Sequence, residues 1–239
     1  MEYGFRERLT DLLYPRRCPL CHEVVMPKGE WICPACRGKF AYIREPVCRR
    51  CGKEILSPEG EYCFDCTQQE KAFDGAAALL HYNEIAKASI QRFKYGGSRE
   101  YADFYIAELL RRHGDLVRSW RSQLVLPVPI HKSRLRTRGF NQAEDLAMRI
   151  AESLEVPIRS DILLRTRKTK DQKGLNARER RRNLEQALTV RVSLEGVHSV
   201  LLIDDVYTTG STLQACARVL KLAGVRRVYG AVVCIGRDT

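Results

Sequence analysis

Eight of the ten cysteines fall in four C-x2-C pairs, Cys18/Cys21, Cys33/Cys36, Cys48/Cys51 and Cys63/Cys66, each beginning fifteen residues after the last. Thiolates three residues apart on a tight turn both reach one ion, and two such turns complete the tetrahedron of structural Zn2+. Four turns therefore predict two zinc sites of four cysteines each. Pairing neighbours, Cys18/Cys21 with Cys33/Cys36 and Cys48/Cys51 with Cys63/Cys66, makes two zinc ribbons in tandem; spacing alone also permits an interleaved pairing. An iron–sulfur cluster would not need eight ligands repeated so regularly. Cys216 and Cys234 lie among apolar residues and read as buried, inert thiols.

A second stretch carries different chemistry. Val200–Ile203 is apolar, Asp204 and Asp205 follow, and Thr208, Thr209, Gly210, Ser211 and Thr212 lead directly into a helix-like pattern. Backbone N–H groups at a helix start, together with four hydroxyls, can surround a phosphate monoester, and Gly210 permits close backbone approach. Two carboxylates at the carboxyl end of a strand can accept hydrogen bonds from a vicinal diol. The combination fits a ribose 5-phosphate. A nucleoside triphosphatase loop is excluded, since the G-x4-G-K-[ST] arrangement and its lysine are missing.

These residues need elements to hold them. Gly75–His81, Leu124–Val128, Val197–Ile203 and Val225–Ile235 read as buried strands, while Ile85–Phe93, Tyr101–Arg112, Ala143–Leu154 and Ser211–Ala223 repeat apolar residues at helical spacing. Strands alternating with helices predict an α/β fold with a mainly parallel sheet covered on both faces. The cysteine-rich segment has too few apolar residues for a core of its own. The organisation expected is a zinc-ribbon module over 1–70 and an α/β domain over 71–239. His22 and His81 are not needed as ligands where full sets of four cysteines exist, and Trp31, Phe40, Tyr42, Tyr62 and Phe64 are expected to pack the ribbons in preference to the alternative, stacking on nucleotide bases, which any exposed ring permits.

The chain has 239 residues and a formal charge of +12, with 41 Lys+Arg against 29 Asp+Glu. Eight thiolates holding two Zn2+ would lower that to about +8, still basic enough to favour a polyanionic partner. From Arg165 to Arg182 nine Lys/Arg face only Asp171 and Glu179, a polar stretch whose end, Asn176–Leu184, reads as helical. Such a run suits the backbone of single-stranded DNA, or a lid over pyrophosphate. No apolar run approaches the roughly 18 residues of a membrane span. The charged start, Met1–Arg8, lacks an apolar leader core, so the cytoplasm is the expected location and disulfides are disfavoured.

The segment from Val200 to Thr212 resembles the phosphoribosyl-pyrophosphate motif of type I phosphoribosyltransferases. Val128-Pro129, Arg134 and Arg138-Gly139-Phe140-Asn141-Gln142 resemble the pyrophosphate-loop region of a narrower group. With the four cysteine pairs, and with Gln172, Asn176, Arg178, Arg182 and Asn183, the chain looks like a ComF-family protein of the ComFC type. That resemblance implies a type I phosphoribosyltransferase-like sheet flanked by helices behind a double zinc ribbon. It implies that Asp204 and Asp205 hold ribose hydroxyls and that Thr208 to Thr212 bind the 5-phosphate. Mg2+ accompanies the pyrophosphate, for which Arg134, Arg138, Lys168, Lys170 and Lys173 are the candidates. It further implies single-stranded DNA handling in bacterial natural transformation, alongside a ComFA-like helicase and a recombination mediator. The alternative is an active phosphoribosyltransferase with an unknown acceptor. With four residues after Ile235, no C-terminal hood for an acceptor base is legible.

Overall fold

The computed structural model describes residues 15–57, 59–167 and 183–236. Its elements are α1 (Phe64–Gln68), β1 (Gly75–His81), α2 (Glu84–Tyr95), α3 (Tyr101–Ser119), β2 (Leu124–Pro127), α4 (Lys132–Arg138), α5 (Gln142–Leu154), β3 (Leu163–Arg165), β4 (Leu188–Val190), β5 (Ser199–Tyr207), α6 (Ser211–Leu222) and β6 (Arg227–Ile235). Four strands form a sheet in the order β1-β6-β5-β2. Every pairing is parallel, with Ala78 opposite Val232, Ile203 opposite Ala231 and Leu124 opposite Val200.

A strand sends successive side chains to opposite faces, so a sheet buried on both sides must build two cores. On one face Ala76, Ala78, Leu126, Val200, Leu202 and Val232 pack with Leu213, Cys216 and Leu220 of α6. On the other, Ala77, Leu79, Val125, Leu201, Ile203 and Val233 pack with α2, α3 and α5. The helices start on local signals: the Asn83 side chain accepts from Ala86 N at 2.9 Å and that of Asn141 from Ala143 N at 3.2 Å.

The ribbons share these cores instead of making one. Val25, Ile32 and Phe40 join the α2/α3 face, while Ile43 and Ile55 join the α6 face. Between them the chain runs along the free edge of β1, where Ile43 N donates to Leu79 O at 3.0 Å and His81 N to Ala41 O at 2.8 Å. The opposite edge, β2, is covered by residues 157–159, with Val125 N donating to Pro157 O at 2.9 Å. An uncovered edge would invite pairing with another chain; this sheet has both edges occupied.

Three features depart from the sequence reading. The strand expected to stop at Ile203 continues to Tyr207, so both aspartates lie inside β5. The helix expected to end at Arg112 runs to Ser119. Arg165, read as the first residue of a polar segment, ends β3, which pairs antiparallel with β4 and places Arg165 opposite Leu188. A three-residue strand is too short for its periodicity to show. Residues 183–185 are helical; the rest of the Asn176–Leu184 expectation, together with Gln172, Arg178 and Arg182, is outside the described residues. Among the described residues no helix is long and apolar enough to cross a membrane.

Candidate functional site

The cysteines gather as two sets, Cys18, Cys21, Cys33 and Cys36, and Cys48, Cys51, Cys63 and Cys66, with the sulfurs of each set within 4.8 Å of one another. Sequential pairing is therefore the one formed. Neighbouring sulfurs lie 3.6 Å apart for Cys21 and Cys33 and 3.5 Å for Cys51 and Cys63. A tetrahedron with Zn–S bonds of about 2.3 Å separates its corners by about 3.8 Å, so both sets fit the ion. Their chemistry asks for it as well. The thiols of Cys51 and Cys66 are pushed far up, chiefly by the Cys48 sulfur beside them, so four thiolates share this space only around a cation. His22 Nδ1 instead lies 2.6 Å from the Tyr101 hydroxyl, and His81 Nε2 lies 2.9 Å from Glu54.

The packing expected of the ribbon aromatics holds only for some of them. Phe40 is buried against Phe104, Arg112 stacks on Tyr42 at 3.6 Å and Arg16 on Trp31 at 4.0 Å. Tyr62 and Phe64 pack little, being 42% and 71% exposed. The tight turn from Cys63 to Cys66 brings the sulfurs inward and leaves Phe64 between them outside, with Tyr62 directly before it.

The phosphate loop follows β5 at the carboxyl ends of the strands, where open parallel sheets bind ligands. Gly210 caps α6 with a left-handed φ of 73°. A Cβ there would lie 2.2 Å from the Tyr207 hydroxyl oxygen. Glycine is thus required by the tyrosine beneath the loop as well as by φ. Thr209 Oγ1 and Ser211 Oγ are 2.7 Å apart, and Ser211 N donates to Thr209 Oγ1 at 3.4 Å. Asp204 and the residues from Val206 to Leu213 line one small pocket, to which the first-turn amides of α6 contribute donors.

The two carboxylates leave β5 on opposite faces. Because both lie inside β5, they alternate: Asp204 belongs with the phosphate loop, within electrostatic reach of Cys216 and Arg165, whereas Asp205 turns to the α2 face and pairs with Lys94. The resemblance assigns both to ribose hydroxyls; in this structure Asp204 lines the pocket and Asp205 is held in an ion pair. Burial, and then the neighbouring Asp205 carboxylate, push the Asp204 carboxyl well above the ordinary range. Lys94 is absent from the sequence-based candidates. A signal for it exists: it lies four residues after Ile90, on the buried stripe of Ala86, Ile90 and Phe93.

Arg134 and Arg138 both lie on α4. Arg134 is exposed within electrostatic reach of Arg165. Arg138 donates to Gln142 Oε1 at 2.8 Å and to the Tyr95 hydroxyl at 2.7 Å. Lys94, Tyr95, Arg99 and Arg138 line a cavity of about 400 Å³. Arg99 is held by a bidentate pair with Asp145 at 2.5 and 2.7 Å. Lys168, Lys170 and Lys173 lie outside the described residues.

A phosphate loop at the carboxyl end of a parallel sheet, behind two four-cysteine clusters, defines a phosphoribosyltransferase-type domain carrying a zinc-ribbon module. Two family models match accordingly, a double zinc ribbon domain over residues 9–67 and a phosphoribosyl transferase domain over 137–239. The chain is 33% identical over 218 residues to Competence protein F of Haemophilus influenzae, covering 89% of this chain and 93% of the relative. It is 29% identical to DNA utilization protein YhgH of Escherichia coli K12, covering 93% and 98%, and 29% identical to Competence protein ComFC of Bacillus subtilis, covering 82% and 80%. Among solved structures it is similar to a hypoxanthine phosphoribosyltransferase of Trypanosoma cruzi, with a TM-score of 0.37 and 19% identity over 59% of this chain and 76% of that one. The chain belongs to the ComF family.

Two outcomes are expected. Metal analysis of the purified chain should find about two zinc atoms, and chelation should open residues 15–70 to protease, because metal binding and folding are coupled in such modules; a metal-free protein with a protected module would contradict this. For Asp204→Asn the sign follows from the raised carboxyl. The unfolded chain releases its proton at about pH 4 while the folded chain retains it, so wild-type stability falls as pH rises above that value. The variant should unfold a few degrees higher at pH 8, with the advantage shrinking toward pH 5. An advantage that grows on acidification would reverse the assignment.

Proposed function

We propose that this protein handles single-stranded DNA in bacterial natural transformation and binds phosphoribosyl pyrophosphate at the loop after β5. The observation that carries the reading is the juxtaposition of Asp204 with the hydroxyl-rich start of α6, in a chain similar over most of its length to proteins named for competence and DNA utilization. Thr208, Thr209, Gly210, Ser211 and Thr212 take the 5-phosphate through side-chain hydroxyls and first-turn amides. Asp204 accepts from a ribose hydroxyl. Asp205 acts through Lys94, whose charge it holds beside the cationic cavity of Arg99 and Arg138. That cavity, with Arg134 on the same helix as Arg138, suits pyrophosphate.

The donor set fits Mg2+ in the manner this ion prefers, with one or two carboxylates and the remaining positions filled by phosphate oxygens and water. Asp204 would supply the carboxylate, and bound Mg2+ would neutralise the pyrophosphate. Residues 1–70 and 71–239 act as the zinc module and the ligand domain. The nine cations from Arg165 to Arg182, with Lys168, Lys170 and Lys173 among them, track the phosphates of the strand. The work fits the cytoplasm, in company with a ComFA-like helicase and a recombination mediator. A cationic cavity beside an anion loop also favours a second reading, displacement of pyrophosphate in a transferase reaction.

Titrating phosphoribosyl pyrophosphate and single-stranded DNA on one preparation tests the reading. Replacing Lys168, Lys170, Arg180 and Arg181 together by Gln should weaken strand binding and flatten its salt slope by about 0.7 per lost phosphate contact. Asp204→Asn with Asp205→Asn should abolish phosphoribosyl pyrophosphate binding and leave strand binding intact. Unchanged strand affinity and slope in the four-site variant would contradict the DNA assignment, and unchanged ligand affinity in the folded double variant would contradict the pocket.

A further inference from the structure

The second ribbon encloses a cavity of about 580 Å³ against the carboxyl ends of β1 and β6. Its apolar wall is Ile43, Ile55 and Ile235; Glu54 and His81 supply polar groups, and Tyr62 and Phe64 also line it. The volume lies in the range of small-molecule sites. Its position is specific. Gly236, the last described residue, lines the cavity and donates its N–H to Tyr207 O at 2.8 Å, while a Cβ on it would lie 3.5 Å from Thr208 O. The cavity and the phosphate loop are therefore neighbours across one residue, over adjacent strands of the same sheet.

The lining chooses among occupants. Phe64 and Tyr62 are 71% and 42% exposed, so two aromatic rings of the second ribbon are kept at the surface beside a concavity. Both bonds within the wall fall on Glu54 Oε2, so a purely apolar guest would use the rings and leave Glu54 Oε1 without a donor. The Glu54 carboxylate is held in place by Arg44 N at 3.1 Å and His81 Nε2 at 2.9 Å, and a carboxylate so fixed accepts well from an exocyclic amine. A flat ring with a π face and a donor edge satisfies both parts of the wall. Unstacked nucleobases on single strands are read by this combination of aromatic stacking and edge hydrogen bonds.

We propose that the cavity between the second zinc ribbon and the ends of β1 and β6 takes one unstacked base of single-stranded DNA. The inference rests on the DNA-binding half of the function proposed above and adds where a base goes. The second ribbon thus supplies a base-facing wall beside the phosphate loop. It also explains why Tyr62 and Phe64 stay exposed: their partner is the base.

The test uses the full zinc-loaded chain and a twelve-nucleotide thymidine strand carrying one 2-aminopurine, whose fluorescence is quenched on stacking. Wild type should quench the probe on binding. Tyr62→Leu with Phe64→Leu, at positions too exposed to support the fold, should lose the quench and bind the strand about ten-fold more weakly at an unchanged salt slope, since no phosphate contact is removed. Unaltered quench and affinity in this variant, with zinc content equal to wild type, would overturn the proposal. So would free 2-aminopurine binding as tightly as the strand, which would make the guest a free base. If wild type binds the strand with a strong salt slope but no quench, the cavity assignment fails while the DNA reading stands. Absence of strand binding removes both.

Discussion

The closure of two sets of four sulfurs is the constraint on which the rest of the molecule depends. Neither ribbon has apolar residues enough to hold itself, and each lends what it has to one face of the sheet. The first reaches α2 and α3: Ser89 Oγ donates to Pro19 O at 2.5 Å, Arg92 to Leu20 O at 2.8 Å, and the Tyr101 hydroxyl meets His22. Since α2 ends with Lys94 and Tyr95, the first cluster orients the helix whose lysine pairs with Asp205. The second lies under the phosphate loop. Gly52 sits so close to β1 that a Cβ would fall 2.7 Å from Ala76 O, and Arg50 donates to Phe73 O at 3.1 Å. Phe73 in turn meets the Tyr207 ring edge to face, and Tyr207 lies beneath Gly210. A continuous path of contacts thus runs from thiolates to loop.

The site places negative charge where the protein can least solvate it. Alternation along β5 separates the two carboxylates onto opposite faces. Asp205 finds a cation and Asp204 does not share it equally, which is why its carboxyl is pushed up by burial and by its neighbour. A pocket of this kind favours a ligand that brings hydroxyl donors or a metal ion. The loop hydroxyls and the α6 amides next to it offer donors, so the sugar phosphate proposed above would meet both requirements at once.

Much of this is legible in the residues. The fifteen-residue repeat of C-x2-C pairs identifies the ribbons, and periods of two and of three to four place the four parallel strands and the major helices. The loop from Thr208 to Thr212 stands out because hydroxyls and glycine are costly unless used. Three things are hidden for physical reasons. Strand ends carry no marker when polar residues continue the strand, so β5 extends past Ile203 and the aspartates alternate. β3 and β4 are too short to show a period. Exposure of Tyr62 and Phe64 depends on which way a metal-closed turn points its side chains, and aromatic identity does not report that. Lys94 is a different case, detectable as a charge on an apolar helical stripe.

The claim that the ribbon supports the ligand loop is tested most directly by amide hydrogen exchange of residues 208–213 in the zinc-loaded chain and in Cys63→Ser, which removes one sulfur from the second set. Exchange reports local opening free energy residue by residue. If the path through Phe73 and Tyr207 carries the support, the loop amides should exchange faster in the variant while those of α5, which packs on the other face, keep wild-type rates. Loss of one zinc with loop exchange unchanged would contradict it.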